Sequence, residues 1–297
     1  MIVKPVDARV AVVTINFNGE KDTLRLLDRL NSMPERVAVV VVDNNSDEYP
    51  EKLKKKFPLI DLVSSQLNIG FGKGNNLGVS HLVDQGYLPE FVYILNNDTE
   101  PDDFSISVLE SFLDDHPDVH CAAPLILYPN RSTIWFAGGG FSLRNVGATS
   151  PYKDMPVSVI ENKPVFVESP FISGCAMFMR SKHYIEYGGF DPRFFMYIED
   201  VDFSYRISRK AKCVVCLDSV IVHRAHSSIG SVGSRPLSIG NPRKWFYVKN
   251  VVRGSCIFIS KNIRFPGCVI WYLVLIAKWS RNLISLFLDA GRFKAKQ

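Results

Sequence analysis

No stretch of this 297-residue chain is long and apolar enough to cross a bilayer as a helix. The longest run without a charged residue, Phe265 to Ala277, has 13 residues and contains Pro266, whereas a spanning helix needs about 20. Met1 to Arg9 carries no apolar leader, and Val10 onward already reads as folded strand, so the chain is expected to stay in the cytoplasm. Cysteine is sparse: the six residues at 121, 175, 213, 216, 256 and 268 are scattered among apolar neighbours, which argues against a disulfide framework. Cys213 and Cys216 have CxxC spacing, but the two valines between them read as buried strand, against a zinc or redox pair. Low-complexity sequence is missing too, and 46% hydrophobic residues suffice for one large core or one domain with an appendage. Most of the chain also lacks a basic surplus. Residues 242–297 hold 11 Lys and Arg against a single acid, Asp289, leaving 24 basic and 29 acidic residues elsewhere. A neutral-to-acidic body with a basic aromatic tail excludes the usual footprint of a nucleic-acid protein and suits an anionic membrane surface.

What is present alternates. Arg9 to Phe17 is a nearly continuous β-branched run, as expected of a strand buried on both faces of a parallel sheet. Asn18 and Gly19 turn the chain, and Glu20 to Ser32 has helical periodicity through Leu24, Leu27 and Leu30. Val37 to Val42 predicts a second buried strand, Tyr49 to Phe57 a charged helix, and Leu59 to Val63 a third, shorter strand. Strand and helix at this spacing predict a doubly wound α/β sheet, with ligands outside the carboxyl ends of the strands. Phe91 to Leu95 predicts another strand and Asp103 to Leu113 a helix. From Val119 the pattern becomes irregular, with Pro124, Pro129 and three glycines within Ile134 to Phe141, and the reading is a meander followed by a mobile loop over 142–164. Strand character returns after Gly174, Ser181 to Tyr187 predicts a short helix, and Cys213 to Leu217 and Ser219 to His223 read as two short strands.

Polar clusters fall at the ends of these elements. Asp43-Asn44-Asn45-Ser46 closes the second strand. Asn68 to Gly78 is glycine-rich and lies between a strand and a helix expected to run to Gln85, where backbone amides can approach a phosphate or sugar. It is not a dinucleotide fingerprint, because Asn75 stands where the third glycine belongs. Asn96-Asn97-Asp98 delivers a carboxylate and two amides to the sheet edge, which suits a hard divalent cation and a diphosphate, or an Asx turn capping the next helix. Glu199, Asp200 and Asp202 crowd a helix start, where the dipole favours ionised carboxylates by roughly 0.3 to 1 kcal/mol each. They can serve as a general base or as ordinary caps, and Asp202 with Arg206 is spaced as an ion pair. His223 at a strand end is a metal ligand or a structural histidine. In the tail, Trp245, Trp271, Trp279, Tyr247 and Tyr272 alternate with cations, as in a helix lying in the headgroup plane or packing on the body or a partner.

With Asp43-Asn44-Asn45-Ser46, Asn68-Ile-Gly-Phe-Gly-Lys-Gly-Asn75-Asn76, Asn96-Asn97-Asp98, Gly188-Gly-Phe-Asp and Glu199-Asp200-Val-Asp202 in this order, residues 9–250 resemble the inverting family 2 glycosyltransferases, most of all the bacterial dTDP-rhamnosyltransferases. The resemblance implies a GT-A type doubly wound mixed sheet, Rossmann-like in its nucleotide-binding half, over 1–240. A basic amphipathic helical tail, 241–297, would rest on the inner face of the cell membrane. It implies that Ile15 and Phe17 line the nucleobase pocket, that Asp43 and Asn44 meet base and ribose, and that Asn68, Gly70, Asn75, Asn96 and Asn97 hold the donor. Asp98 and His223 would bind Mg²⁺ or Mn²⁺, Asp200 would be the base, and Glu199 and Trp135 would face the acceptor. Asn96 stands where the family's metal motif has its first acid, which lowers the expected metal affinity. The implied activity is transfer of L-rhamnose from dTDP-rhamnose to a glycan or polyprenyl-diphosphate-linked acceptor in cell-surface polysaccharide synthesis. A UDP-sugar donor and a non-catalytic sugar-nucleotide binder are the alternatives, and no nucleic-acid partner is expected.

Overall fold

The valine-rich runs near the N-terminus become β1 (Val10–Asn16) and β2 (Val37–Asp43). All seven residues of β2 are buried, so both its faces are covered and no polar alternation survives in the sequence. The computed structural model describes residues 1–48, 50–142, 147–224, 242–277 and 280. After α1 (Glu20–Ser32) and β2 come α2 (Glu51–Lys56), β3 (Asp61–Ser64), α3 (Phe71–Asp84) and β4 (Phe91–Leu95). β1 pairs in parallel with both β2 and β4, and β2 pairs in parallel with β3. The second half comprises β5 (Thr99–Pro101), α4 (Ser105–Asp115), β6 (Val119–Leu127), β7 (Ile134–Phe136), β8 (Gly140–Ser142), β9 (Gly147–Thr149), β10 (Phe166–Glu168), β11 (Ala176–Arg180), α5 (Ser181–Glu186), α6 (Glu199–Ser208), β12 (Lys212–His223) and α7 (Pro242–Asn262). The main sheet runs β10-β12-β6-β11-β4-β1-β2-β3, with β5 on β12 and β7 on β6, while β8 and β9 form a separate hairpin. β11 lies antiparallel to β4, so the parallel nucleotide-type half joins the second half through one reversed strand. The expected α/β architecture is therefore present, as a mixed sheet.

Three local expectations need correcting. Val119–Leu127 is not a meander but the strand β6, buried at every position except His120. Pro124 is tolerated there because its neighbour changes from β11, paired at Ala122, to β7, paired from Ile126, beside a register shift in β12. The missing N–H falls where the ladder is already interrupted. β12 is one strand of 12 residues rather than two short ones: an irregularity between Cys216 and Val220 breaks the apolar run without ending the strand. Finally, Gly72, Gly74 and Gly78 lie inside α3 rather than in a loop before it. A Cβ on Gly78 would come within 2.5 Å of Val13 Cγ1 and one on Gly74 within 2.8 Å of Ile15 Cδ1, so these two glycines let the helix lie directly on the sheet, while Gly72 makes room for Phe190.

The start of the tail packs on the body. Phe258 of α7 is part of the main core, and Ile259 joins Leu275, Trp271 and Tyr272 of the helical stretch 267–277. No helix among the described residues is long and apolar enough to cross a membrane. The expected boundary at 240/241 and Trp279 lie outside the described residues. All six cysteines are free.

Candidate active site

β1 and β2 end side by side, with Asn16 in register with Asp43. Asn16 Nδ2 donates to Asp43 Oδ1 at 2.9 Å, and Ser46 Oγ donates to the same oxygen at 2.6 Å. Behind them Thr23 Oγ1 donates to Asn16 Oδ1 (2.8 Å) and accepts from Asn97 Nδ2 (2.9 Å), linking the ends of β1 and β4 through α1. Asn44 organises the loop into α3: its Nδ2 donates to Asn68 Oδ1 (3.0 Å) and its Oδ1 accepts the Ile69 amide (3.0 Å). Ile15 is half-buried against Gly74, and Phe17 is 38% exposed at the end of the strand, open to a flat ligand. Asn75 is buried, and its Nδ2 donates to the Phe71 carbonyl (3.1 Å) within α3.

The acidic helix lies across from this corner. α6 is preceded by Tyr197 and Ile198, both left-handed with φ of 67° and 69°. Such backbone in bulky residues is strained, at about 1–3 kcal/mol each, and is held only by its surroundings. Asp200 Oδ1 accepts the Val201 amide (2.9 Å) and Oδ2 the Gly174 amide (3.0 Å). Burial raises the Asp200 pKa, and these amides only partly oppose it. Glu199 is 5% exposed, and its Oε2 has no hydrogen-bond partner among the described residues. Burial and the adjacent Asp200 push its pKa well up. Two neighbouring carboxyls thus differ in surroundings: Asp200 accepts two backbone amides that favour its ionised form, whereas Glu199 Oε2 has no such donor among the described residues. Asp202 is structural, wholly buried with Arg206 Nε at 2.9 Å.

The two residues before β11 connect Asp200 to the sheet edge that carries Asp98. The Asn96 amide donates to the Cys175 carbonyl (2.9 Å), and the preceding residue, Gly174, is the one that holds Asp200. His223, the last residue of β12, places Nε2 3.1 Å from Asp98 Oδ1, and the two side chains are 8% and 11% exposed. Burial alone would lower the His223 pKa; Cys175 and the hydrogen bond to Asp98 outweigh it and raise the value to about 10. The other ring nitrogen, Nδ1, has no hydrogen-bond partner among the described residues. The Trp135 ring stands edge-on to His223 at 4.4 Å. Trp135 is therefore at the Asp98–His223 corner, and Glu199 packs against α3 near Gly72. One oxygen and one nitrogen donor converge here, and no group of three candidate ligands occurs among the described residues. Once His223 gives up the proton that its raised pKa favours, that set fits a divalent cation that takes its remaining ligands from substrate phosphate and water.

Other participants are backbone groups or amides that no sequence pattern singles out. The Phe195 carbonyl accepts the Phe71 amide (2.9 Å) at the start of α3. Gly70, with φ of 84°, makes this possible: a Cβ there would sit 2.0 Å from that carbonyl. Asn76 ties α3 to the same segment, donating to the Phe190 carbonyl (2.7 Å) and accepting from the Phe190 amide (3.0 Å) and the Tyr184 hydroxyl (2.6 Å). The Asn75-Asn76 doublet was visible in the sequence, but its partner more than a hundred residues away was not.

Polar side chains at the carboxyl ends of parallel strands, an amide-tethered carboxylate on α6 and a buried Asp98–His223 pair are thus carried on a mixed α/β sheet of GT-A type. The description "Glycosyl transferase family 2" matches residues 11–188, and the chain belongs to that family: it is a glycosyltransferase. It is 27% identical over 241 residues to the N-acetylglucosaminyl-diphospho-decaprenol L-rhamnosyltransferase of Mycobacterium tuberculosis, covering 73% of this chain and 76% of the relative. It is 23% identical over 216 residues to the rhamnosyltransferase WbbL of Escherichia coli, covering 67% of this chain and 76% of the relative. Among solved structures, the Pyrobaculum calidifontis mannosyltransferase PcManGT, in complex with GDP-Man and Mn²⁺, superposes with a TM-score of 0.56 at 14% identity, over 99% of this chain and 83% of that one.

Proposed function

We propose that this glycosyltransferase moves L-rhamnose from dTDP-rhamnose, with inversion, to a glycan or polyprenyl-diphosphate-linked acceptor in cell-surface polysaccharide synthesis. The observation that carries the reading is the two-residue bridge, Gly174 holding Asp200 and Cys175 holding Asn96, which joins a base to a diphosphate edge. The names of two relatives, one with a polyprenyl-diphosphate acceptor, support the sugar and the acceptor class. Ile15 and Phe17 take the nucleobase, Asp43 and Asn44 the base and ribose, Asn68, Gly70 and Asn75 the ribose and sugar side, and Asn96 and Asn97 also bind the donor. Asp200 removes the proton of an acceptor hydroxyl as that oxygen bonds to the anomeric carbon, on the face opposite the nucleoside diphosphate. The bond to the diphosphate breaks in the same step, and the configuration inverts. Glu199 and Trp135 contact the acceptor. Asp98 and His223 would hold Mg²⁺ or Mn²⁺, which when bound neutralises charge on the diphosphate; Mn²⁺ accompanies the sugar nucleotide in PcManGT.

The tail, 241–297, is proposed to rest on the anionic inner face of the membrane while its α7 packs on the catalytic domain, 1–240. Phe265 (82% exposed), Leu273 (61%) and Ile276 (62%) present apolar side chains outward. The primary test is a thermal-shift panel with dTDP, UDP and GDP, with and without Mg²⁺ or Mn²⁺, followed by transfer from radiolabelled donor. A ligand at 100 times its Kd stabilises by about 2.7 kcal/mol. A shift with dTDP larger than with UDP or GDP supports the donor, and a larger shift with UDP replaces it.

A further inference from the structure

The left-handed pair Tyr197 and Ile198, just ahead of Asp200, is held from outside by α7. A Cβ on Gly254 would lie 3.1 Å from Ile198 Cβ and 3.2 Å from the Tyr197 carbonyl, so the helix backbone presses on the strained turn itself. Tyr247 meets Tyr197 edge-on (4.9 Å), and Phe246 meets Phe195 (5.9 Å). Near the C-terminal end of α7, Lys261 Nζ donates to Asp202 Oδ2 (2.9 Å) and to Asp191 Oδ2 (2.7 Å), and Asn262 Nδ2 donates to Asp202 Oδ1 (2.9 Å). Asp202 lies two residues after the base; Asp191 lies in the Gly-Gly-Phe-Asp turn. Each acid already has another cation, Arg206 for Asp202 (2.9 Å) and Arg193 for Asp191 (2.6 Å). Neutralisation does not require Lys261. What Lys261 adds is a clamp across both ends of the segment 191–202.

We propose that α7 sets the catalytic carboxylate: through Gly254 and Lys261 it fixes the segment 191–202 in the conformation that presents Asp200, which makes Lys261 a positioning residue for transfer. The proposal rests on Asp200 being the base. It assigns the start of the tail a part in turnover with any acceptor, including water-soluble ones, separate from any contact with lipid.

Full-length Lys261→Met, Lys261→Arg and Asp200→Asn proteins are compared using radiolabelled donor and a soluble acceptor, with nucleotide affinity read by thermal shift. Lys261→Met is expected to lower kcat roughly 10- to 100-fold, as a small misplacement of a reacting group does. Nucleotide affinity should stay within about twofold of wild type, and Lys261→Arg should restore most of the rate. If Lys261→Met fails to fold, Gly254→Ala, whose methyl crowds Ile198, is expected to show the same loss of kcat at unchanged nucleotide affinity. Wild-type kcat in the folded variant, with Asp200→Asn inactive, overturns the positioning role alone. Near wild-type turnover by Asp200→Asn overturns the assignment of the base instead. A rate lost in both Lys261 variants also counts against the clamp, since arginine can span the same two acids.

Discussion

Glu199 and Asp200 place opposite demands on the molecule. Each has a folded-state pKa above its ordinary value, chiefly through burial. The native state therefore binds more protons than the unfolded chain as pH rises past the ordinary carboxylate range, and stability falls through that interval up to the raised values. Transfer requires the ionised base, so the rate should rise over the same interval. Initial rates and melting midpoints measured from pH 4 to 8 are expected to run in opposite directions; a rate flat across the range counts against Asp200. Asp200→Asn should lose about 10² to 10⁴ of the rate while keeping nucleotide binding. Its side-chain NH2 would face one of the two backbone N–H groups that donate to the carboxylate, so the relief of a buried charge is offset and no rise in melting midpoint is expected. Asp200, Asp98 and His223 could be found in the sequence because each is an unusual side chain at an element end. The Gly174 amide and the Phe195 carbonyl could not, because a backbone group has no letter.

The legible elements were those whose surroundings are uniform. β1, β2 and β4 are covered on both faces, and their runs rich in β-branched or aromatic residues give them away. β6 and β12 were misread where a local irregularity met a breaking residue: Pro124 in one, and Leu217-Asp218-Ser219 in the other. Tertiary pairing overrides local pattern there, since eight of the nine residues of β6 are buried despite the proline. The glycines of α3 were misassigned because a helix that must touch a sheet and a loop that must touch a phosphate both call for glycine. Packing separates the two cases. Gly78→Ala would force a methyl to 2.5 Å from Val13 Cγ1 and 3.0 Å from Val42 Cγ2. It should destabilise by about 1–3 kcal/mol, as overpacking does, despite alanine's better helix propensity, and chemical denaturation measures this directly. A stabilised variant would mean that α3 stands further from the sheet.

At the scale of the whole molecule, the C-terminal stretch combines a basic excess with exposed apolar side chains. The basic excess of 242–297 and the outward Phe265, Leu273 and Ile276 lie on the same tail. Full-length protein is expected to co-sediment with vesicles containing anionic phospholipid, less so as salt rises, and Leu273→Glu with Ile276→Glu should weaken the association. Protein that stays in the supernatant would make this face a contact for a partner subunit. A further whole-molecule consequence follows from the Phe71 amide donating to the Phe195 carbonyl. That bond ties the start of α3 to the turn before α6, so ordering one should order the other. Nucleotide binding at α3 should therefore slow amide hydrogen exchange at the start of α6, far along the chain and without touching it. Gly70→Ala should abolish that remote protection while leaving exchange within β1 and β2 unchanged.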